Sequence, residues 1–235
     1  FDSEATDIVE KIMSAGKKVP IDIVLHTLGG SLMASERVAD AARAHGLTTA
    51  YVPYYAMSGG TEIALATNHI VLGTHANLGP TDVQLDGVAA RDFEQLEQEK
   101  GIKELEDNSA LRAIRARRVK RDVATVCARI NSRHKKRLGW WSKKRSCDLA
   151  LKLTDGRMDH AHRITFKEAR DLGINVSNKV PDDIYNLVNE RRQQLKQLNR
   201  FIPVLLMRAA QLRQARAAPP AEESSQRFSE SRFND

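Results

Sequence analysis

Two segments of this chain share one pattern, and that pattern limits the folds open to it. Residues 20–31 read PIDIVLHTLGGS, and residues 51–68 read YVPYYAMSGGTEIALATN. In the first, Ile21, Ile23 and Leu25 interleave with Val24 in a β-rich, nearly continuous apolar run, which is how a buried strand reads. The run ends in His26-Thr27-Leu28-Gly29-Gly30, and residues 31–44 follow with helical periodicity. In the second, a β-prone run at 50–52 leads through Pro53-Tyr54-Tyr55 into Ala56-Met57-Ser58-Gly59-Gly60, and residues 61–66 read as a helix. Strand, glycine pair and helix thus recur after about thirty residues, which is βαβ spacing, and parallel strands would bring both turns to the same edge of one sheet.

Ser58 stands where a strand hands over to a helix. A helix N-terminus offers unpaired N–H groups and a partial positive charge. Both favour an alkoxide and an oxyanion. Gly59 and Gly60 carry no side chains, so a substrate backbone can come close. The plain alternative is a Ser N-cap followed by turn glycines. The segment is not Gly-x-Ser-x-Gly, because Ala56 occupies the first glycine position. The upstream turn adds to the catalytic reading. One turn would supply the nucleophile and an oxyanion N–H, the other a second N–H.

The remaining chain reads as mixed α/β. Residues 3–16 form a helix with Ile8, Val9, Ile12 and Met13 on one face. In the helix of residues 31–44, Leu32, Val38, Ala39 and Ala42 face inward, with Arg37 and Arg43 outward. Residues 69–73 are strand-like, and His75 to Gln84 form another turn towards the sheet edge. Acidic residues 88–107 read as a short helix and a loop flanking the site. From Ala110 the sign flips, and basic residues crowd 112–145 above an apolar stripe that includes Leu111, Ile114, Val119, Val123, Val126 and Ile130. This face is solvated or docks on an anionic surface. Few aromatics are interleaved, which disfavours nucleic acid. Trp140 and Trp141 read as core or interface packing. Thr165 and Glu168 spell a capping box, and Gly173 stops that helix. Residues 181–212 read as one or two amphipathic helices, with Ile184, Leu187, Val188, Leu195 and Leu198 inward. The apolar patch at 201–207 reads as an oligomer contact, and the Pro- and Ser-rich tail from 217 as disordered.

The chain has 235 residues, 29% of them charged, and a net charge of +7. That length can bury a core for one domain plus appendages. Cys127 and Cys147 match no metal spacing and no disulfide framework, which fits a reducing compartment. His45, His69, His75 and His134 show no ligand spacing, so no metal is expected. No secretory signal begins the chain and no apolar run reaches a membrane span. The expected location is the cytoplasm, with membrane association if an N-terminal anchor precedes Phe1, which opens inside a helical pattern.

PIDIVLHTLGGS, YVPYYAMSGGTEIALAT and LGPTDVQ, with LTDGRMDHAHRITFKEARDLGINVS at 153–177, resemble the serine dehydrogenase proteinase family. Its members are membrane-associated or cytosolic serine peptidases of the Clp protease and crotonase superfamily, related to signal peptide peptidase A. The resemblance runs from residue 1 to 188 and is strongest over 20–85. It implies an α/β spiral of ββα units over 1–188, followed by a helical C-terminal part at 189–216 and the tail at 217–235. It implies a Ser58 nucleophile, an oxyanion hole from N–H groups of Gly29, Gly30 and Gly59, a peptide or protein substrate, no cofactor, and a homo-oligomer.

The general base is where the sequence departs from its relatives. Related Ser/Lys peptidases draw it from a helix lysine, and Arg117 stands opposite that position here. Arginine stays protonated and cannot accept a proton. The base then falls to Lys120, Lys100 or a histidine. His160, in the 153–160 block, matches a family position that carries His, and His162 is its substitute. Asp82, in a Gly-Pro-x-Asp segment that lines the site in the family, would orient the imidazole; its plain reading is a turn residue. His26 and Gly60 line the site. Two rivals remain open: an inactive homologue serving as scaffold or binding module, and a crotonase-type acyl-thioester enzyme in which Ser58 has no clear role.

Overall fold

The computed structural model describes residues 2–82, 84–85, 87–118 and 148–197. The Lys120 candidate, Trp140 and Trp141, the basic residues 120–145 and everything from Leu198 onward lie outside them. The chain divides into two compact units, residues 1–186 and 187–235. Of the second, residues 187–197 are described and are helical.

In the first unit, α1 (Asp2–Ser14) precedes β1 (Ile21–Val24) and α2 (Leu32–His45). Next come β2 (Thr48–Val52), β3 (Tyr55–Ala56) and α3 (Gly59–Ala66), then β4 (His69–Leu72) and β5 (Asn77–Leu78). The hairpin of β6 (Gln84–Leu85) and β7 (Val88–Ala89) leads into α4 (Ala90–Lys100). Helices α5 (residues 107–118) and α6 (residues 148–154) are followed by β8 (Ile164–Thr165), α7 (Phe166–Asp171) and β9 (Val176–Ser177).

Apart from the β6–β7 hairpin, the strands form two sheets related by a repeat. The larger sheet has the order β1-β2-β4-β9, all parallel. The smaller runs β3-β5-β8, and an isolated parallel bridge, Thr27 with Ala56, adds one residue from after β1. Each turn of the chain therefore lays one strand in the large sheet and one short element in the small sheet. The first two turns then close with a helix: β1, Thr27, α2; β2, β3, α3. The third begins with β4 and β5. Stacking these units in register is the spiral of ββα units.

Leu72, Leu78, Leu153, Ile164 and Val52 are buried between the sheets and helices. A second cluster joins α1 to α2 through Ala5, Ile12 and Val38, and a third joins α4 to α5 through Phe93, Ala113 and Ala116. Several side chains differ from their expected faces. Ile8, Met13, Leu111 and Ile114 are exposed. The faces actually buried are rich in alanine, because small residues let two helix backbones approach closely. Leu32 sits at the exposed start of α2, while Ser35 is buried in its place. Arg43 is largely buried and ion-paired with Asp40, so it does not point outward. Leu187 and Leu195 are exposed.

Candidate functional site

The small sheet explains how residues scattered along the chain come together. Each of its parallel elements is followed at once by a turn: Thr27 by Leu28-Gly29-Gly30, β3 by Met57-Ser58-Gly59, and β5 by Gly79-Pro80-Thr81-Asp82. All three turns leave the same end of the sheet. Strand β8 runs antiparallel to β5, pairing Leu78 with Ile164. Residues preceding β8 therefore lie at that end too. Carrying the register four residues further sets position 82 opposite position 160.

Hydrogen bonds link the turns in sequence. Met57 N–H donates to Thr27 O at 2.9 Å, and Thr27 N–H donates to Tyr55 O at 3.2 Å. Thr61 is fully buried. Its hydroxyl donates to Ala56 O at 2.7 Å and accepts from Gly79 N–H at 3.0 Å, joining the second turn to the third. Thr81 N–H donates to Leu153 O at 2.8 Å, fastening the third turn to the end of α6.

Ser58 has φ 50° and ψ −119°, and is the one positive-φ residue other than glycine among those described. This lies outside the left-handed well and costs about 1–3 kcal/mol in a non-glycine residue. Although Ser58 occupies the N-cap position of α3, its side chain makes no capping hydrogen bond. A cap would have justified a serine here on structural grounds alone, and it is absent.

Gly29 is forced by its surroundings. Its φ is +111°, and a Cβ there would come within 2.8 Å of Ser58 Cβ and 3.0 Å of Met57 O. A Cβ on Gly59 would meet Ser35 Cβ at 2.9 Å, with Gly30 N at 3.8 Å. The two glycine turns therefore touch. Of the three N–H groups expected to face an oxyanion, that of Gly29 is engaged by Thr27 Oγ1 at 3.0 Å. Those of Gly30 and Gly59 have no hydrogen-bond partner among the described residues. Gly60 is buried, and a Cβ there would meet Thr27 Cγ2 at 2.5 Å and Ala56 Cβ at 3.3 Å.

His160 Nδ1 lies 2.7 Å from Asp82 Oδ1. A carboxylate only accepts, so Nδ1 carries the proton in this bond, and in the neutral imidazole Nε2 then keeps a lone pair. The Asp82 side chain is 2% exposed and that of His160 43%. Gln84 Nε2 donates to the other Asp82 oxygen at 2.6 Å. Two Asx turns, Asp155 Oδ1 with Arg157 N–H and Asp159 Oδ1 with Ala161 N–H, shape the loop that delivers His160. Neither Ser58 Oγ nor His160 Nε2 has a hydrogen-bond partner among the described residues.

The other candidates have separate engagements. His162 Nε2 lies 2.8 Å from Glu168 Oε1. His26 packs against the rings of Tyr55 and Tyr54 at 4.3 and 5.4 Å. Arg117 pairs with Glu97 at 2.8 Å, and Lys100 is the last residue of α4. Among the described residues no group of three or more His, Cys, Asp or Glu could hold a metal ion, and no helix is long and apolar enough to cross a membrane. Thr27, Thr61, Ser35, Glu62 and Gln84 were not anticipated as site-building residues. A Thr two residues before Gly29 does carry the signal of a side-chain turn.

A sequence profile described as ClpP-like SDH-type serine proteinase matches residues 2–216. The chain belongs to this family. A protein of Methanocaldococcus jannaschii, itself uncharacterised, is 35% identical to this chain over 195 residues, covering 83% of this chain and 66% of the relative. A second uncharacterised protein of that organism is 32% identical over 186 residues, covering 79% and 61%. The chain thus spans less than two thirds of either relative. A solved structure of a mutant membrane-bound stomatin-specific protease aligns with a TM-score of 0.48 at 14% identity, over 77% of this chain and 75% of that one. Membership in the ClpP-like family agrees with the stacked ββα units described above.

Proposed function

We propose that this chain is a serine peptidase with Ser58 as nucleophile and His160, held by Asp82, as general base. Ser58 Oγ bonds to the substrate carbonyl carbon, and its proton passes to His160 Nε2. The carbonyl oxygen, now negative, is held by the N–H groups of Gly30 and Gly59. Collapse breaks the C–N bond, and His160 returns the proton to the leaving amine. Water then repeats the sequence on the acyl-enzyme and restores Ser58. The observation that carries this reading is the backbone of Ser58: a strained serine, without a capping role, at the start of a helix and against a second glycine turn. Such strain in a non-glycine residue points to function. Nucleophile and base are often further apart in a free site and close on binding substrate. Arg117, ion-paired with Glu97, has no part in proton transfer, which favours His160 over a helix base at that position.

The test is covalent labelling by a fluorophosphonate probe of the wild type, Ser58→Ala and His160→Ala. The expected result is rapid labelling that disappears in Ser58→Ala and falls at least a hundredfold in His160→Ala. No labelling of the wild type would refute the reading and leave an inactive scaffold; saturable binding of coenzyme A would then favour thioester chemistry.

A further inference from the structure

Beneath the two glycine turns lies a polar pair that the proposed reaction does not use. Ser35, in the first turn of α2, is buried, and so is Glu62, in the first turn of α3. Ser35 Oγ lies 2.7 Å from Glu62 Oε2 and 3.0 Å from Leu32 O. A hydroxyl has one proton to give, and the shorter bond to a carboxylate is the stronger. Burial of a glutamate in a helix interface is unfavourable unless hydrogen bonds offset it.

The place of this pair is informative. Ser35 Cβ and Oγ lie 2.9 and 3.0 Å from where a Gly59 Cβ would stand, and Gly30 N lies 3.8 Å from the same point. Ser35 is therefore wedged against the Cα of Gly59, beside Gly30. Glu62 also reaches the nucleophile turn through its backbone, its N–H donating to Ser58 O at 3.2 Å. One residue thus holds the Ser58 carbonyl through its main chain and α2 through its side chain. Gly30 leads into α2 and Gly59 opens α3, so the separation of their N–H groups is set where these helices meet.

We propose that Ser35 and Glu62 are positioning residues that fix the spacing between the Gly30 and Gly59 N–H groups. This rests on the serine peptidase reading above. The pair touches no substrate; it acts by holding two donors at the distance a single oxyanion requires. Donors displaced by about 1 Å lose on the order of a hundredfold in rate. An apolar contact in place of the pair would pack α2 on α3 but would not fix that distance.

The test uses the fluorophosphonate probe on the full chain, separating the limiting labelling rate from the probe concentration at half-saturation. Ser35→Ala removes one oxygen and retains the contact with Gly59. Glu62→Gln retains shape and an acceptor for Ser35. The expected result is a ten- to hundredfold slower limiting rate in Ser35→Ala with half-saturation changed less than threefold, and a rate within threefold of wild type in Glu62→Gln. A merely structural pair would lower the melting temperature and leave the rate of the folded fraction unchanged; that outcome overturns the proposal while the Ser58 reading stands. Equal loss in both variants also overturns it, since the conservative change should rescue. Labelling that persists in Ser58→Ala removes the reading itself, and the positioning role with it.

Discussion

Asp82→Asn replaces two acceptor oxygens by one acceptor and one donor in a side chain that is nearly fully enclosed. Gln84 Nε2, 2.6 Å from Asp82 Oδ2, still needs an acceptor. The amide orientation that satisfies Gln84 turns its NH2 towards His160 Nδ1. His160 must then accept at Nδ1 and carry its proton on Nε2, where it cannot take one from Ser58. The opposite orientation sets two donors against each other at Gln84 and costs about 1–3 kcal/mol. At about 1.4 kcal/mol per factor of ten, the productive orientation becomes about 5- to 150-fold rarer. Loss of the correct tautomer in a serine triad approaches about 10⁴-fold. The labelling rate with a fluorophosphonate should therefore fall by about fivefold at least. The double variant Asp82→Asn with Gln84→Ala removes the competing donor and should recover part of that loss. A single variant within threefold of wild type, or a double variant no faster than the single, would refute the hydrogen-bond argument.

Three further outcomes can be checked. Gly29→Ala puts a Cβ 2.8 Å from Ser58 Cβ at φ +111°; strain and crowding of about 1–3 kcal/mol each should lower the urea midpoint and abolish labelling. Arg117→Ala breaks a half-exposed ion pair with Glu97 and should cost less than about 1 kcal/mol while labelling stays within twofold; a large loss of labelling would return this helix to the reaction. Thr165→Ala removes the cap that accepts from Glu168 N–H; a loss of about 1 kcal/mol is expected by chemical denaturation, with an unchanged midpoint counting against the cap.

What could be read from the sequence was local. The apolar run of residues 21–25 and the glycine pairs are written in consecutive residues, and they fix both the parallel strands and the place of Ser58. The pairing of His160 with Asp82 depends on the register of β5 against β8, residues far apart in sequence, and only resemblance suggested it. Helical periodicity offers several compatible faces and cannot choose among them. Met13 and Leu111 are bulky and looked like core residues; Ala5 and Ala113 took those places because the partner helix came close. Thr61, Ser35 and Glu62 were illegible for the converse reason. Polar residues read as surface until a three-dimensional partner is known.

The strand that delivers His160 is two residues long and meets its partner across more than eighty residues of chain. Closing a loop of that size costs about 4 kcal/mol in entropy, against a very short ladder and the burial of Ile164. The nucleophile turn has no such dependence, since Thr27, Ser58 and Gly79 are joined by nearby segments. Brief detachment of this strand would part His160 from Asp82 while the contact between the two glycine turns stays assembled. Such an opening is local, and local openings lie below global unfolding in free energy. The contact of His160 with Asp82 thus hangs on one two-residue strand, whereas the joined glycine turns do not.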